Sequence, residues 1–205
     1  MKSLFIVIDG MDGTGKSSMI EMLHNYLFSK DKRYRILTTR EPTKGTYGKK
    51  IRDMLATDTN PKENANELLE LFIKDREEHL NTVVKPFLSA QKGEDINICL
   101  CDRYYHSTIA FQSTQGLDQK TIIEKNKAFL KPDLAIILDI KPEIALQRMN
   151  LRKREKFEER AFMESLRDRF LALPKILKEN IKIIDGSAKK TSVFEKIRKE
   201  VDFLL

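Results

Sequence analysis

Short apolar runs alternate along the chain with longer segments in which apolar residues recur every three or four positions. The runs predict strands near Leu4–Asp9, Arg35–Thr39, Ile96–Asp102, Leu134–Ile140 and Ile181–Asp185. The periodic segments predict helices near Lys16–Ser29, Pro61–Leu88, Asp118–Leu130, Pro142–Leu151, Glu159–Leu173 and Ser192–Leu204. The runs Leu134–Leu138 and Ile96–Leu100 show little alternation of apolar and polar residues, which is typical of parallel strands covered on both faces. The pattern therefore predicts an α/β fold with a doubly wound, five-stranded parallel sheet flanked by helices.

Two short patterns are typical of helix starts. Asn60-Pro61-x-Glu63 combines an N-cap, a proline at the first helical position and an acidic residue that can bond back to the cap. Ser192-x-x-Glu195 has the form of a capping box before the last helix. No internal repeat, low-complexity tract or linker interrupts the sequence. We therefore expect residues 1–205 to form a single domain, with a basic excursion near 148–160.

Composition limits the kinds of partner. Charged residues make up 34% of the chain and the formal net charge is +7, which favours an acidic partner such as a nucleotide, a nucleic acid or an anionic membrane. Cys99 and Cys101 are too few for a disulfide scaffold, which favours a reducing, cytoplasmic location. No apolar run reaches the roughly 18 residues of a membrane span, so no membrane is expected as a partner. His24 and His106 match no motif, and we expect them at the surface or at helix ends.

The most specific motif directly follows the first strand. Gly10-Met11-Asp12-Gly13-Thr14-Gly15-Lys16-Ser17 fits the phosphate-binding loop (P-loop) pattern G-x-x-x-x-G-K-[ST], and it stands between a strand and a helix as that loop requires. Glycines let backbone N–H groups converge on phosphate oxygens, and the helix N-terminus adds its positive end. Lys16 suits the β- and γ-phosphates of ATP, and the Ser17 hydroxyl suits Mg²⁺. The alternative is a glycine-rich turn that contains Lys-Ser by chance. The expected ATP contacts are Gly10, Met11, Asp12, Gly13, Thr14, Gly15, Lys16, Ser17 and Ser18.

A carboxylate and an arginine end the third predicted strand. Ligands of open α/β sheets gather at the carboxyl ends of the strands, so we expect Asp102 beside the P-loop, where it can hold a Mg²⁺-bound water. Arg103 follows directly, and its planar guanidinium suits a second phosphate. The alternative interpretation is a surface ion pair between Asp102 and Arg103.

Two polar residues interrupt the apolar face of the helix predicted after residue 60. Arg76 and His79 fall in a stripe that otherwise contains leucines, valines and phenylalanines. An unpaired buried guanidinium is costly, so the helix is expected to line a polar cavity at that point. Phe72 and Arg76, one turn apart, would offer an aromatic face and a donor fork to a flat ligand such as a pyrimidine base. The alternative is a structural pair of Arg76 with Asp75 or with a distant carboxylate.

Taken together, the motifs resemble those of the thymidylate kinase (dTMP kinase) family through most of the chain. They are, in order, Phe5-x-x-x-Asp9-Gly10-x-Asp12-Gly13-x-Gly15-Lys16-Ser17, Thr39-Arg40-Glu41-Pro42, Gly48-x-x-Ile51-Arg52, Leu71-Phe72-x-x-Asp75-Arg76-x-x-His79, Asp102-Arg103-Tyr104-x-x-Ser107-x-x-Ala110-Phe111-Gln112, Lys131-Pro132-Asp133-Leu134 and Ile184-Asp185-Gly186. Each motif alone is modest evidence, but their joint order and spacing are highly specific.

The resemblance implies transfer of the γ-phosphoryl group of ATP to dTMP, giving dTDP and ADP. It also implies Mg²⁺ held by Ser17 and Asp102, and a homodimer. In the acceptor site it implies that Phe72 stacks on thymine, Arg76 bonds a thymine carbonyl, and Phe111 lies against the deoxyribose. It further implies that Arg103 and Arg40 hold the acceptor phosphate and that Asp12 contacts the 3′-hydroxyl. The expected acceptor site is completed by Pro42, Ser107 and Thr108.

The resemblance also implies a lid. Because donor and acceptor are both anions, phosphoryl transfer needs positioned cations, and the family places an arginine either in the P-loop or in a mobile lid. Gly13 leaves this P-loop without an arginine, so a basic lid at 148–160 is expected to supply one. The expected catalytic residues are Lys16, Asp12, Arg103, Arg152 and Arg154. The alternative for the basic segment is a solvated helix end.

Other functions stay open at this point. One is a kinase of another pyrimidine nucleotide or of a deoxynucleoside; a deoxynucleoside kinase would not need Arg103. A more distant one is a P-loop ATP switch whose basic surface binds nucleic acid. We do not expect nucleic acid as a partner, because charges of both signs are interspersed and no nucleic-acid-binding module is visible.

Overall fold

A computed structural model describes residues 3–57, 63–90, 92–149 and 155–205, and in the last of these ranges it describes side chains from residue 160 onward. The sheet in this structure has the predicted architecture. Its strands are β1 (Leu4–Gly10), β2 (Tyr34–Arg40), β3 (Ile96–Asp102), β4 (Leu134–Asp139) and β5 (Ile181–Asp185). All neighbouring strands are parallel, in the order β2-β3-β1-β4-β5. The chain passes from the central strand β1 to the edge strand β2, returns to β3, and then continues on the other side of β1 to β4 and β5. The prediction of a doubly wound parallel sheet is confirmed.

Helices cover both faces of this sheet. They are α1 (Lys16–Lys30), α2 (Thr46–Thr57), α3 (Ala65–His79), α4 (Lys85–Ser89), α5 (Tyr105–Thr114), α6 (Gln119–Asn126), α7 (Pro142–Arg148), α8 (Glu155–Leu177) and α9 (Lys190–Asp202). A π-helical turn, Leu80–Val84, joins α3 to α4 without a break. The long helix predicted from Pro61 to Leu88 is therefore present from Ala65 to Ser89.

Three details of the helix prediction need correction. The sequence pattern does not predict α2, in which Gly48 lies among charged residues, or α5, which is buried over nearly all of its surface and so has no amphipathic periodicity. The capping box at Ser192 is wrong, because α9 already begins at Lys190. The predicted cap Asn60 and the proline at 61 lie outside the described residues, and the helix that follows them begins only at Ala65.

The hydrophobic core forms one layer on each face of the sheet. On β1, Leu4, Ile6 and Ile8 pack with α1 and α9, whereas Phe5 and Val7 pack with the α3, α5 and α8 side. Burial on both faces explains why the central strands β1, β3 and β4 lack alternation, whereas the edge strands β2 and β5 are partly exposed. The prediction that Cys99 and Cys101 are core thiols is confirmed, since both are buried and free.

Two further observations bear on the sequence predictions. His106, expected at the surface or at a helix end, lies in the first turn of α5 but is fully buried beside Tyr105 and Glu179. Within the described ranges, no helix is both long enough and apolar enough to cross a membrane.

Candidate active site

The loop between β1 and α1 has the geometry of a phosphate cradle. It leaves the sheet at Gly10 and enters α1 at Lys16, with Gly13 and Gly15 in left-handed conformations (φ +77° and +94°). Among the described residues no side chain caps the start of α1, so the first N–H groups of that helix are open to an anion. The P-loop predicted from the sequence is thus formed at the carboxyl edge of the sheet.

Lys16 is buried inside this loop. Its side chain is only 7% exposed, and Nζ donates to the carbonyl oxygens of Gly10 (3.1 Å) and Met11 (2.8 Å). Burial, and next the nearby guanidinium of Arg103, lower the pKa of Lys16 to about 8. The ammonium group is therefore held over the loop by neutral oxygens, which compete only weakly with a phosphate for it.

Ser17 and Asp102 face each other across the gap between α1 and β3. The Ser17 hydroxyl donates to Asp102 Oδ2 at 3.1 Å, and Asp102 Oδ1 is buried with no hydrogen-bond partner among the described residues. One hydroxyl and one carboxylate oxygen suit Mg²⁺, which takes few protein ligands and completes its shell with water and substrate phosphates. The described residues contain no cluster of three or more metal-ligating side chains. Ser17 and Asp102 are therefore the described residues that could hold such an ion.

Arg103 is tied to the P-loop. Its Nη2 donates to Asp12 Oδ1 at 2.5 Å, and its Nη1 donates to the carbonyl oxygen of Gly10 at 3.1 Å. Burial alone would raise the pKa of Asp12, but the charges of Arg103, Lys16 and Arg40 hold the pKa of that carboxyl below its usual value. Arg103 and Asp102 thus have different partners, which contradicts the alternative of a surface ion pair between them.

A fully buried carboxylate, Asp9, organises the turn that carries Arg103. It accepts hydrogen bonds from the backbone N–H groups of Gly10, Tyr104 and Ser107 and from the Ser107 hydroxyl. Arg103 adopts a left-handed conformation in this turn (φ +68°), which a non-glycine residue keeps only when its surroundings hold it. Sequence reasoning quoted Asp9 in a motif but assigned it no role, because its partners lie about 95 residues further along the chain.

Two neighbouring hydroxyls on α5 each hold one of the predicted acceptor arginines. Ser107 Oγ accepts from Arg103 Nη1 at 2.8 Å, and Thr108 Oγ1 accepts from Arg76 Nη2 at 2.9 Å. The two guanidinium groups, predicted from separate motifs, are thereby fixed by one helix.

Arg76 is buried and paired. It is 1% exposed, and its partners are Glu41, Asn126 and Thr108. Arg76 therefore forms the pair with a distant carboxylate that was the alternative interpretation, and its partner is Glu41 and not Asp75. The predicted contact of Arg76 with a base stays a prediction. Glu41 was visible in a sequence motif, whereas Asn126 gave no signal.

The other predicted acceptor residues lie around these arginines. Phe111 is half-buried, with the Arg103 guanidinium 5.6 Å from its ring centre. Phe72 and Pro42 are half-buried, and Arg40 is exposed at the end of β2. The loop after β2 is clipped to α3, because Asp75 accepts hydrogen bonds from the backbone N–H and the hydroxyl of Thr43.

The basic segment is described only at its two ends. Arg152 and Arg154, the predicted lid arginines, lie outside the described residues. At the near end, Arg148 donates to the carbonyl oxygens of Gly13 (3.1 Å) and Gly186 (3.2 Å). At the far end, Arg160 pairs with Glu143 and Glu164. Arg148, the exposed last residue of α7, therefore reaches back to the P-loop, and both the lid and the solvated helix end stay predictions for the rest of the segment.

Among the described residues, cavities border the P-loop on more than one side. A cleft of about 310 Å³ is lined by Asp12, Lys16, Ser17, Arg40, Asp102 and Arg103. It shares Ser17, Arg40 and Asp102 with a groove of about 790 Å³ that runs between α1, β2 and the α3 region. On the other side of the loop, a cavity of about 200 Å³ is lined by Gly15, Ser18, Arg148, Gly186 and Lys190 among others. The P-loop thus has open space on both sides.

Fold and site together define a parallel α/β protein of the P-loop nucleotide-binding class. The sequence matches the family model for thymidylate kinase over residues 8–197. The chain belongs to the thymidylate kinase family.

Individual relatives agree with this assignment. A thymidylate kinase of Desulfotalea psychrophila is 43% identical over 171 residues, which is 82% of this chain and 80% of that protein. A thymidylate kinase of Caldicellulosiruptor saccharolyticus is 38% identical over 212 aligned residues, covering 100% of this chain and 98% of the relative. The crystal structure of thymidylate kinase from Ehrlichia chaffeensis superposes with a TM-score of 0.76 at 25% identity, covering 98% of this chain and 100% of the other.

Proposed function

We propose that this chain transfers the γ-phosphoryl group of ATP to dTMP, giving ADP and dTDP, as the names of its relatives suggest. The observation that carries the proposal is the pair of arginines, Arg76 of α3 and Arg103 of the turn before α5, that two hydroxyls of α5 hold. Ser107 and Thr108 hold Arg103 and Arg76, and Arg103 in turn bonds Asp12 of the P-loop. A second anionic substrate bound at these arginines would lie next to phosphates bound in the P-loop.

The donor side of the site consists of Gly10–Ser18. Its backbone N–H groups would hold the ATP phosphates, and Lys16 would bridge the β- and γ-phosphates. Ser17 and Asp102 would hold Mg²⁺ through oxygen and water, and when bound this ion would neutralise charge on the transferred group. Arg148, Gly186 and Lys190 line the space beyond the loop, where the adenosine of the donor would lie.

The acceptor side is a sequence of contacts along dTMP. Arg103 would hold its phosphate together with Arg40, Asp12 would accept a hydrogen bond from the 3′-hydroxyl, and Phe111 would lie against the sugar. Thymine would lie between Phe72 and Arg76, close to Pro42, Ser107 and Thr108. The acceptor phosphate is already ionised, so these side chains align two anions and offset their repulsion instead of removing a proton.

Water exclusion is the role proposed for the segment 148–160. Arg152 and Arg154 would approach the transferred phosphoryl group when the segment closes over the bound substrates, where charge develops in the transition state. In the same proposal, residues 1–205 act as one kinase domain in the cytoplasm. The chain forms a homodimer, and sedimentation analysis tests this oligomeric state directly.

An ADP-release assay tests the proposed reaction. With ATP and Mg²⁺ as donor, turnover is measured for dTMP, dUMP, dCMP, CMP, AMP and thymidine. We expect dTMP to be the best acceptor, dUMP weaker and ribonucleotides poor. A preference for CMP or AMP would contradict the acceptor assignment, and a preference for thymidine would indicate a deoxynucleoside kinase.

Two variants separate the two halves of the site in the same assay. Lys16→Ala should abolish turnover with every acceptor, because the charge at the donor phosphates is lost. Arg76→Ala should mainly raise KM for dTMP and leave KM for ATP near the wild-type value. Equal effects of Arg76→Ala on both KM values would contradict the division into donor and acceptor sides.

A further inference from the structure

Glu41, in the loop after β2, is a buried carboxylate shared by two side chains of α3. It is 2% exposed, its Oε2 accepts a hydrogen bond from Arg76 Nε at 2.9 Å, and the same oxygen forms an ion pair with Arg76 Nη2 at 2.8 Å. Its Oε1 lies 3.1 Å from His79 Nδ1, and His79 Nε2 lies 2.7 Å from Thr39 Oγ1. Glu41 therefore has a fixed place between the end of β2 and the middle of α3.

The guanidinium of Arg76 is held at its edges and on its faces. Nη1 donates to Asn126 Oδ1 at 2.6 Å, and Asn126 is itself oriented by a bond from its Nδ2 to the carbonyl oxygen of Ile122. The rings of Tyr104 and Phe129 lie 5.2 and 5.6 Å from the guanidinium carbon. Rotation of this group would break charge-assisted hydrogen bonds and ring contacts together.

A donor count shows what is left for a ligand. An arginine has five N–H donors. Hydrogen bonds to Glu41, Asn126 and Thr108 take the Nε donor, one donor of Nη1 and one of Nη2. Within the described part of the chain, the second N–H of Nη2 belongs to the ion pair with Glu41, and the second N–H of Nη1 has neither a hydrogen bond nor an ion-pair partner.

We propose that Glu41 is the positioning residue of the acceptor site, which fixes Arg76 so that the second N–H of its Nη1 meets a carbonyl oxygen of the base. A fixed donor accepts a pyrimidine that carries a carbonyl at that place and rejects one that carries an amino group, because two donors would face each other. Glu41 thereby sets the preference for dTMP over dCMP. This inference rests on the proposed function, since it concerns the same acceptor.

The test is Glu41→Gln, which keeps the shape and an acceptor for Arg76 but removes the charge that balances the guanidinium. We expect KM for dTMP to rise roughly tenfold, as for the loss of a hydrogen bond to a charged group. The ratio of kcat/KM for dTMP over dCMP should fall by a similar factor, with KM for ATP within about twofold of the wild type.

Asp75→Asn is the matched control. Asp75 is equally buried at 2% exposure and joins the same loop to the same helix, but its bonds go to Thr43 and not to Arg76. If Glu41 only anchored the loop, both variants would change the dTMP to dCMP ratio alike. We expect this ratio to stay within about twofold of the wild type in Asp75→Asn.

A third comparison shows whether Glu41 acts through Arg76. In an Arg76→Ala background, Glu41→Gln should change the dTMP to dCMP ratio less than about twofold, because the group it positions is gone. Each variant is assayed well below its own unfolding midpoint, and dTMP binding is measured by calorimetry as well as turnover.

The outcomes are distinct. Suppose that the wild type uses dTMP. If Glu41→Gln then keeps the wild-type ratio of kcat/KM for dTMP over dCMP, or changes this ratio as Asp75→Asn does, this inference alone is overturned. A wild type that neither binds nor phosphorylates dTMP rejects the proposed function and this inference with it.

Discussion

Lys16 is a cation whose proton is held weakly in the ligand-free protein. Burial, followed by the charge of Arg103, lowers its pKa from 10.5 to about 8. Between these two values the unfolded chain binds the proton more tightly than the folded one, so the free energy of unfolding of the ligand-free protein should rise with pH across this window. Bound ATP phosphates would reverse the shift, because they stabilise the charged form.

This shift gives a pH dependence of activity. Because kcat/KM reports the free enzyme, kcat/KM for ATP should fall as the pH rises through about 8. The value of kcat should persist to higher pH, since Lys16 is then in contact with phosphate. Initial rates at varied ATP and saturating dTMP, from pH 6 to pH 10, measure both. A kcat/KM for ATP that stays level up to pH 10 would contradict the assignment of Lys16.

The sequence identifies the site residues better than it identifies their supports. Lys16, Asp102 and Arg103 follow strands whose ends meet, so their proximity is predictable from the topology. Arg76 is detectable because a guanidinium on an apolar helix face needs partners. Which partner it has is not predictable from periodicity, because Glu41 and Asn126 lie 35 and 50 residues away along the chain.

At the scale of elements, the P-loop depends on two glycines for different reasons. At Gly10 (φ +134°) an added Cβ would lie 2.5 Å from the Leu138 carbonyl oxygen of β4, a backbone atom that cannot move alone. At Gly15 (φ +94°) an added Cβ would meet no described atom within 4 Å. Gly10 is therefore required by the packing of the sheet, whereas Gly15 borders the space open to a phosphate.

Substitution of each glycine by alanine should separate folding from binding. The strain of a residue with a Cβ in a left-handed conformation costs about 1–2 kcal/mol. Gly10→Ala should lower the free energy of unfolding by more than this amount, because β1 and β4 must also move apart. Gly15→Ala should cost about that strain alone but should weaken ATP binding at least tenfold. Urea unfolding and ATP calorimetry measure the two effects. An unchanged ATP affinity in a folded Gly15→Ala would contradict the position of the phosphates.

The elements that the sequence predicts poorly are those whose burial is unusual. The five strands agree with the prediction to within one residue at each end. The central strands β1, β3 and β4 are buried on both faces and leave apolar runs, whereas the edge strands β2 and β5 are partly exposed. The helix α5 has buried residues on nearly all sides and a mixed polar sequence, so no periodicity indicates it. Yet this helix holds Arg103 and Arg76, and the element most important for the acceptor site is one that the pattern does not show.

At the scale of the whole molecule, the site belongs to one edge of the sheet. The P-loop follows β1, Arg40 ends β2, and Asp102 ends β3, and these are the three adjacent strands of the order β2-β3-β1. In the proposed function, two anions bound at this edge would share one set of cations. The family was predictable from the sequence because its motifs occur in a fixed order, each at a strand end or on the helix beside it.

The central claim is that ATP and dTMP bind at the same time, in one continuous cleft, with their phosphates adjacent. A bisubstrate analogue, in which adenosine and thymidine are joined through a polyphosphate chain, tests it most directly. We predict that calorimetry will show one bound analogue per chain. We also predict that the analogue will inhibit competitively against both ATP and dTMP in steady-state kinetics, since it occupies both subsites. Inhibition competitive against ATP but not against dTMP would place the acceptor elsewhere and would contradict the account.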